Sequence, residues 1–169
     1  RLANEFLDYS RGEIRLDLSP VDPMELLAKA ESSMAMRLQQ AGIELVIDCT
    51  TDGKAIVDQE RMHRVLVNLC DNARKAMSGM PDKHLVLGSS FEGDSLVLSV
   101  SDSGSGMSQE VQAHMFEPFY SASGQGGTGL GLLIVRNIVE AHHGSLSVQS
   151  EADKGTTFTI RLPRMGQLT

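Results

Sequence analysis

Two pairs of closely spaced apolar–polar alternations constrain the fold most. Residues 84–91 and 95–101 are separated only by Glu92-Gly93-Asp94, and residues 145–150 and 156–162 are joined through Asp153-Lys154-Gly155. Period-two alternation marks half-buried strands, and Gly with Asp between them is turn chemistry. Strands that follow each other this closely lie side by side, which disfavours a parallel doubly wound sheet. Residues 43–49 and 55–57 give two more strands. A short one is predicted over 14–18, where Ile14, Leu16 and Leu18 alternate with polar residues. Helices are predicted over 23–40, with Asp22 as cap and Pro23 in the first turn, and over 59–77, ended by Gly79 and Pro81. A short helix capped by Ser108 runs to Met115, an irregular loop spans 116–127, and a last helix covers 128–143. Residues 1–10 read as the end of another helix, with Leu2, Phe6 and Tyr9 at helical spacing. The sum is an α/β two-layer sandwich with a mixed, mostly antiparallel sheet, three main helices and an N-terminal helix stub.

The 169 residues carry 15 Lys and Arg against 22 Asp and Glu, a net charge of −7. That balance excludes non-specific binding to nucleic acid or anionic lipid, which needs basic patches. A small anion could still be held locally by amides and a metal. Cys49 and Cys70 sit in apolar surroundings without motif spacing, so two buried thiols in a reducing compartment are expected. The chain opens on Arg1 and has no signal peptide or membrane-length apolar run, so a cytoplasmic piece of a longer protein is expected.

Three segments carry chemical signals. On the helix over 64–77, Met62, Val65, Leu66, Leu69, Ala73 and Ala76 share one arc, the core face. Asn68, Asn72 and Lys75 form a separate stripe at i, i+4, i+7, with Arg74 pointing to solvent. An ordinary solvated face is one reading. The other is a phosphate and its metal, because an amide oxygen ligates a hard cation and an ammonium meets phosphate oxygens. The second segment, Asp102-Ser103-Gly104-Ser105-Gly106, follows a strand. It is either a plain turn or a place where a flat ligand approaches the backbone and an amine meets Asp102. The third is glycine-rich: seven of the 16 glycines fall between Gly104 and Gly131, and the run 124–131 leads into a helix. Phosphates sit well at a helix N-terminus. The run is not a P-loop, since no Gly-Lys-Ser/Thr closes it, nor a dinucleotide fingerprint. Phe116 and Phe119 are either core residues or a clamp at the base of that loop.

In this order the motifs resemble the ATP-binding catalytic domain of sensor histidine kinases, in the superfamily of gyrase, the ninety-kilodalton heat-shock chaperones and the mismatch-repair ATPases. Residues 68–77 look like its N box, Asp102 to Gly106 its first glycine box, Phe116 to Phe119 its F box, and Gly127 to Leu132 its second glycine box. Residues 155–163 are similar to its closing strand. The resemblance implies the Bergerat-type version of the sandwich. It also implies roles: Asp102 bonds the adenine amine, Asn72 ligates Mg²⁺, and Asn68 and Lys75 hold phosphates. Gly104 and Gly106 form the turn beside the adenine, and Gly127, Thr128, Gly129, Leu130, Gly131 and Leu132 wrap the triphosphate of ATP. Phe116 and Phe119 anchor the lid, and Thr156 or Thr157 reaches the adenine through water.

The chain departs from the family pattern in a short lid, 120–126, which lacks the Lys often found after the F box. None of the five His (His63, His84, His114, His142, His143) sits in an acceptor context, so each is expected to be structural. The resemblance then implies that residues 1–11 are the end of a dimerisation-domain helix and linker, 12–163 the catalytic domain and 164–169 a tail. It implies a homodimeric parent, a separate phosphoacceptor domain and a downstream response regulator as partners. Superfamily members that hydrolyse ATP place a Glu where Asn68 stands, and an amide cannot take a proton at neutral pH. Transfer to a histidine is therefore expected over hydrolysis. An ATP-driven hydrolase, an anti-sigma-type serine kinase and a non-catalytic docking module are the alternatives.

Overall fold

The computed structural model describes residues 14–120 and 129–166. A five-stranded mixed sheet has the order β2-β4-β5-β7-β6, built from β2 (Glu44–Cys49), β4 (His84–Glu92), β5 (Ser95–Asp102), β6 (Ser145–Ser150) and β7 (Thr156–Pro163). Both predicted hairpins are present and antiparallel, and β5 pairs antiparallel with β7. Only β2 runs parallel to its neighbour, β4. A separate two-stranded ribbon joins β1 (Leu18–Val21) to β3 (Ala55–Asp58).

Period-two patterning decides which face of the sheet is covered. Leu96, Leu98 and Val100 of β5 and Phe158, Ile160 and Leu162 of β7 are buried, whereas Ser99, Ser101, Thr157 and Thr159 on the other face stay partly exposed. The helices pack on the apolar face: α1 (Pro23–Gln40), α2 (Gln59–Ala76) and α4 (Gly131–Ala141), with the short α3 (Gln109–His114) at one end. Leu26, Leu27, Ala30, Met34 and Leu38 of α1 and Leu133, Ile134, Val135, Ile138 and Val139 of α4 complete the core. Each fully buried Leu or Phe contributes about 1.5–3 kcal/mol of transfer free energy. Among the described residues no helix is long and apolar enough to cross a membrane.

Five local expectations are corrected. The first strand lies at Leu18–Val21 rather than 14–18, because its ladder is set by β3. Pro20 is tolerated there: it faces Ile56, whose N–H points away to the Arg164 carbonyl (2.7 Å), so no ladder bond is lost. On α2 the buried face includes Cys70 in place of Ala76, whose carbonyl instead meets the turn after β5. Arg74 is half-buried against Asp71 (2.9 Å) rather than free in solvent. The last helix begins at Gly131, not 128, since Gly129 has φ +72°, which ends any helical run before it. Cys70 is buried as expected, which pushes its thiol up to about 12, while Cys49 is only half-buried beside Ser89 and Thr51. The expected helix over 1–10 lies outside the described residues.

Candidate functional site

Among the described residues, three of the four helices begin with a polar side chain that caps their first amides: Asp22 for α1, Asp58 for α2 and Ser108 for α3. α4 follows Leu130, whose apolar side chain cannot cap the first-turn amides. The helix opens on Gly131, and no described atom lies within 4 Å of where a Cβ would stand there. Amides without a side-chain cap from Leu130, at a positive dipole end, suit an anion.

The polar stripe of α2 faces this helix start. Asn68 donates from Nδ2 to the Gly131 carbonyl at 3.4 Å, which joins the two helices. Asn72, one turn on, is half-buried, and its amide has no hydrogen-bond partner among the described residues. Lys75 does not extend freely: its Nζ lies 3.6 Å from Asp71 Oδ2. The same carboxylate holds Arg74 at 2.9 Å and approaches Arg37 of α1 at 3.9 Å. Asp71 is the residue that sequence reasoning passed over, although its i−4 spacing to Lys75 was a visible signal.

The turn after β5 closes against the other end of α2. Ser105 N–H donates to the Ala76 carbonyl (3.0 Å), and a Cβ at Gly104 would lie 2.7 Å from that oxygen and 2.9 Å from Asp102 Oδ1. Only glycine fits there. Asp102 is buried, and its Oδ1 accepts the Gly104 N–H at 2.8 Å. Burial pushes its carboxyl up, opposed by hydrogen bonds from the Gly104 and Thr156 amides. Thr156 is Asp102's cross-strand partner on β7 and is also buried, whereas Thr157 faces the far side of the sheet and bonds Ser101 (2.7 Å). A cleft of about 490 Å³ opens beside them, lined by Ser101, Asp102, Gln112, Ser150, Thr156 and Thr157 among others. Asn68, Asn72 and Lys75 lie outside that cleft.

The neck of the loop is a backbone junction. Phe119 N–H donates to the Gly129 carbonyl (2.9 Å), Phe119 itself takes φ +65°, and a Cβ on Gly129 would run into the Phe119 backbone. Phe119 is exposed, so it is not a core residue, whereas Phe116 is half-buried under Arg136 of α4, 5.5 Å from guanidinium to ring centre. Arg136 was not singled out from the sequence, because no local spacing links it to Phe116. Gly106 packs against the Glu151 carbonyl, and Leu130 is buried. Leu132 is partly buried against the core. Gly127 and Thr128 lie outside the described residues. Among the described residues no group of three or more His, Cys, Asp and Glu comes together for a metal. Among the histidines, His142 is buried, with its Nδ1 bonded to the Ile138 carbonyl and its Nε2 accepting the Asp58 N–H, while His63 Nε2 lies 3.1 Å from Ser33 Oγ and His114 Nδ1 lies 3.0 Å from Glu117 Oε1.

Residues 57–166 match the family described as histidine kinase-, DNA gyrase B- and HSP90-like ATPase. The chain is 34% identical over 95% of its length to the autoinducer 2 sensor kinase/phosphatase LuxQ of Vibrio parahaemolyticus, of which it covers 20%. It is 31% identical over 97% of its length to the sensor protein SrrB of Staphylococcus aureus, of which it covers 29%. The chain thus spans under a third of these relatives. Among solved structures, full-length ShkA in complex with AMPPNP superposes with a TM-score of 0.86 at 29% identity, over 99% of this chain and 36% of that one. The histidine kinase AdeS of Acinetobacter baumannii does so with 0.79 at 25%, over 96% of this chain and 75% of that one. The chain belongs to the family of histidine kinase-, DNA gyrase B- and HSP90-like ATPases, and within it to the catalytic domains of sensor histidine kinases.

Proposed function

We propose that this domain binds Mg·ATP between α2, the turn after β5 and the start of α4, and donates the γ-phosphoryl group to a histidine on a separate dimerisation domain. The observation that carries the reading is the start of α4, which has no side-chain cap from Leu130 and opens on Gly131 beside Asn68. Its amides, with Gly127 to Leu132, cradle the phosphates. Asp102 accepts from the adenine amine, with Thr156 beside it. Lys75 serves the phosphates by exchanging part of its pairing with Asp71. Phe116 and Phe119 fix the base of the loop.

The Asn72 amide, which has no hydrogen-bond partner among the described residues, suits a hard cation. Mg²⁺ takes few protein ligands beside phosphate oxygens and water, and when bound it neutralises charge on the phosphates. The protein's share of catalysis is in-line positioning and hydrogen bonds to the transferring group. Asn68 offers no proton acceptor, so water is not activated there. A neutral imidazole needs no such base, because its lone pair attacks directly. The reading makes residues 1–11 the end of a dimerisation-domain helix and linker, and places the catalytic unit at 12–163. The parent is a homodimer that passes its phosphoryl group to a response regulator, with this domain on the cytoplasmic side.

Calorimetric titration with ATP and Mg²⁺ tests the reading. The chain should bind, and Asp102→Asn should weaken binding by at least tenfold, because an amide nitrogen then faces the adenine amine. No binding by the parent chain leaves the docking module as the better account.

A further inference from the structure

Asp71 gathers three cations on one carboxylate. Arg74 donates to its Oδ1 from Nε (3.0 Å) and Nη2 (2.9 Å), Lys75 Nζ stands 3.6 Å from its Oδ2, and Arg37 Nη1 of α1 stands 3.9 Å from Oδ1. The two oxygens therefore hold their cations differently. The Arg74 contacts have the length of charge-assisted hydrogen bonds, whereas 3.6 Å leaves Lys75 in an ion pair only. Among the described residues the Lys75 ammonium makes no hydrogen bond.

Position gives this asymmetry a consequence. Along α2, Lys75 falls between Asn68, which reaches Gly131 at the start of α4, and Ala76, whose carbonyl accepts the Ser105 N–H of the turn after β5. Its flexible four-carbon stem carries a point charge that turns readily from one anion to another, whereas a guanidinium fork is fixed by its geometry. A phosphate arriving there competes with Oδ2 for Lys75 alone. Arg74 stays on Oδ1, so Asp71 is not left as an unpaired anion beside the phosphate. With three positive charges against one negative, the group is locally cationic in a chain of net charge −7.

We propose that Asp71 is a positioning residue that holds Lys75 in reserve, and that Arg74, by occupying the same carboxylate, sets how readily the ammonium is released to the phosphates of the nucleotide. The inference deepens the proposed function and rests on its phosphate contact from Lys75. The test is calorimetric titration with ATP at saturating Mg²⁺. Asp71→Asn removes the retention and should tighten binding by about two- to fivefold, the size of a partly exposed ion pair. Arg74→Gln leaves both oxygens to Lys75 and should weaken binding by a similar factor. Both effects should vanish in a Lys75→Gln chain, whereas a direct pull or push of either charge on the phosphates would persist there. A merely structural role would not give the two opposite signs. Either arm carries the test if the other variant does not fold. Weaker or unchanged binding by Asp71→Asn, tighter or unchanged binding by Arg74→Gln, or effects that persist without Lys75 overturn this inference alone. A Lys75→Gln chain that binds as the parent does overturns it together with the Lys75 contact, and leaves Asp102 and the start of α4 in their proposed roles. A parent chain that does not bind overturns it together with the proposed function.

Discussion

Gly131→Ala separates stability from binding at one atom. Gly131 is the first residue of α4, its φ is not in the left-handed region, and a Cβ there meets no described atom within 4 Å. Alanine in place of glycine reduces the freedom of the unfolded chain and stabilises by about 0.4–1 kcal/mol where the backbone permits it. For a chain of this size that raises Tm by roughly 1–4 °C. The same methyl occupies the space above the first amides of α4. If a phosphate oxygen lies there, a charge-assisted hydrogen bond of about 1.5–3 kcal/mol is lost, a fall of roughly 10- to 100-fold in Mg·ATP affinity. Gly104→Ala is the contrast. Its Cβ would sit 2.7 Å from the Ala76 carbonyl and 2.9 Å from Asp102 Oδ1, so overpacking costs about 1–3 kcal/mol and Tm falls. Thermal unfolding and calorimetric titration of both variants read the two signs. A Gly131→Ala protein that binds Mg·ATP as the parent does would refute a phosphate seat at the start of α4. A fall in its Tm would refute the open space.

Two further outcomes are expected. His142 is held neutral by burial, which lowers its affinity for a proton, and its Nε2 already accepts the Asp58 N–H. The unfolded chain takes up that proton more readily, so this contribution is complete above the ordinary histidine value near 6.5 and is lost as pH falls through it. Urea unfolding between pH 7.5 and 5.5 should show that loss. It should be shallower in His142→Gln, and an unchanged slope would remove His142 as its source. Asn68→Glu places a proton acceptor beside the start of α4 but breaks the bond from Asn68 to the Gly131 carbonyl. Stability should fall by about 1 kcal/mol, while phosphate release from ATP rises by about 10²-fold or more; no rise would mean that this position does not decide between hydrolysis and transfer.

Local physics was legible along much of the chain. The hairpins around Gly93 and Lys154 follow from period-two patterning and turn residues only a few positions apart. The caps at Asp22 and Ser108 follow from side chains that reach their own helix. The core face of α2 was readable from its 3.6-residue period, apart from the exchange of Cys70 for Ala76 at its edge. The errors came from long-range partners. β3 sets the place of β1, which lies 34 to 40 residues upstream, counted as 55 less 21 for Val21–Ala55 and 58 less 18 for Leu18–Asp58. Arg74 is the local exception, since Asp71, three positions before it on the same helix, holds it at 2.9 Å.

The sequence by itself determined the element types, the hairpins, the two-layer class and the residues that could meet a nucleotide, since propensity, periodicity and motif spacing act over a few residues. The tertiary structure alone decided the sheet order, with β2 parallel to β4 and β7 between β5 and β6. It also decided which candidates share a wall. Asp102, Thr156 and Ser150 meet through pairings across β5, β7 and β6 that span up to 54 residues from Asp102 to Thr156, counted as 156 less 102. Asn68 meets Gly131 63 residues away. Contacts at such separations depend on how the apolar faces of sheet and helices bury one another, and no local pattern encodes that choice.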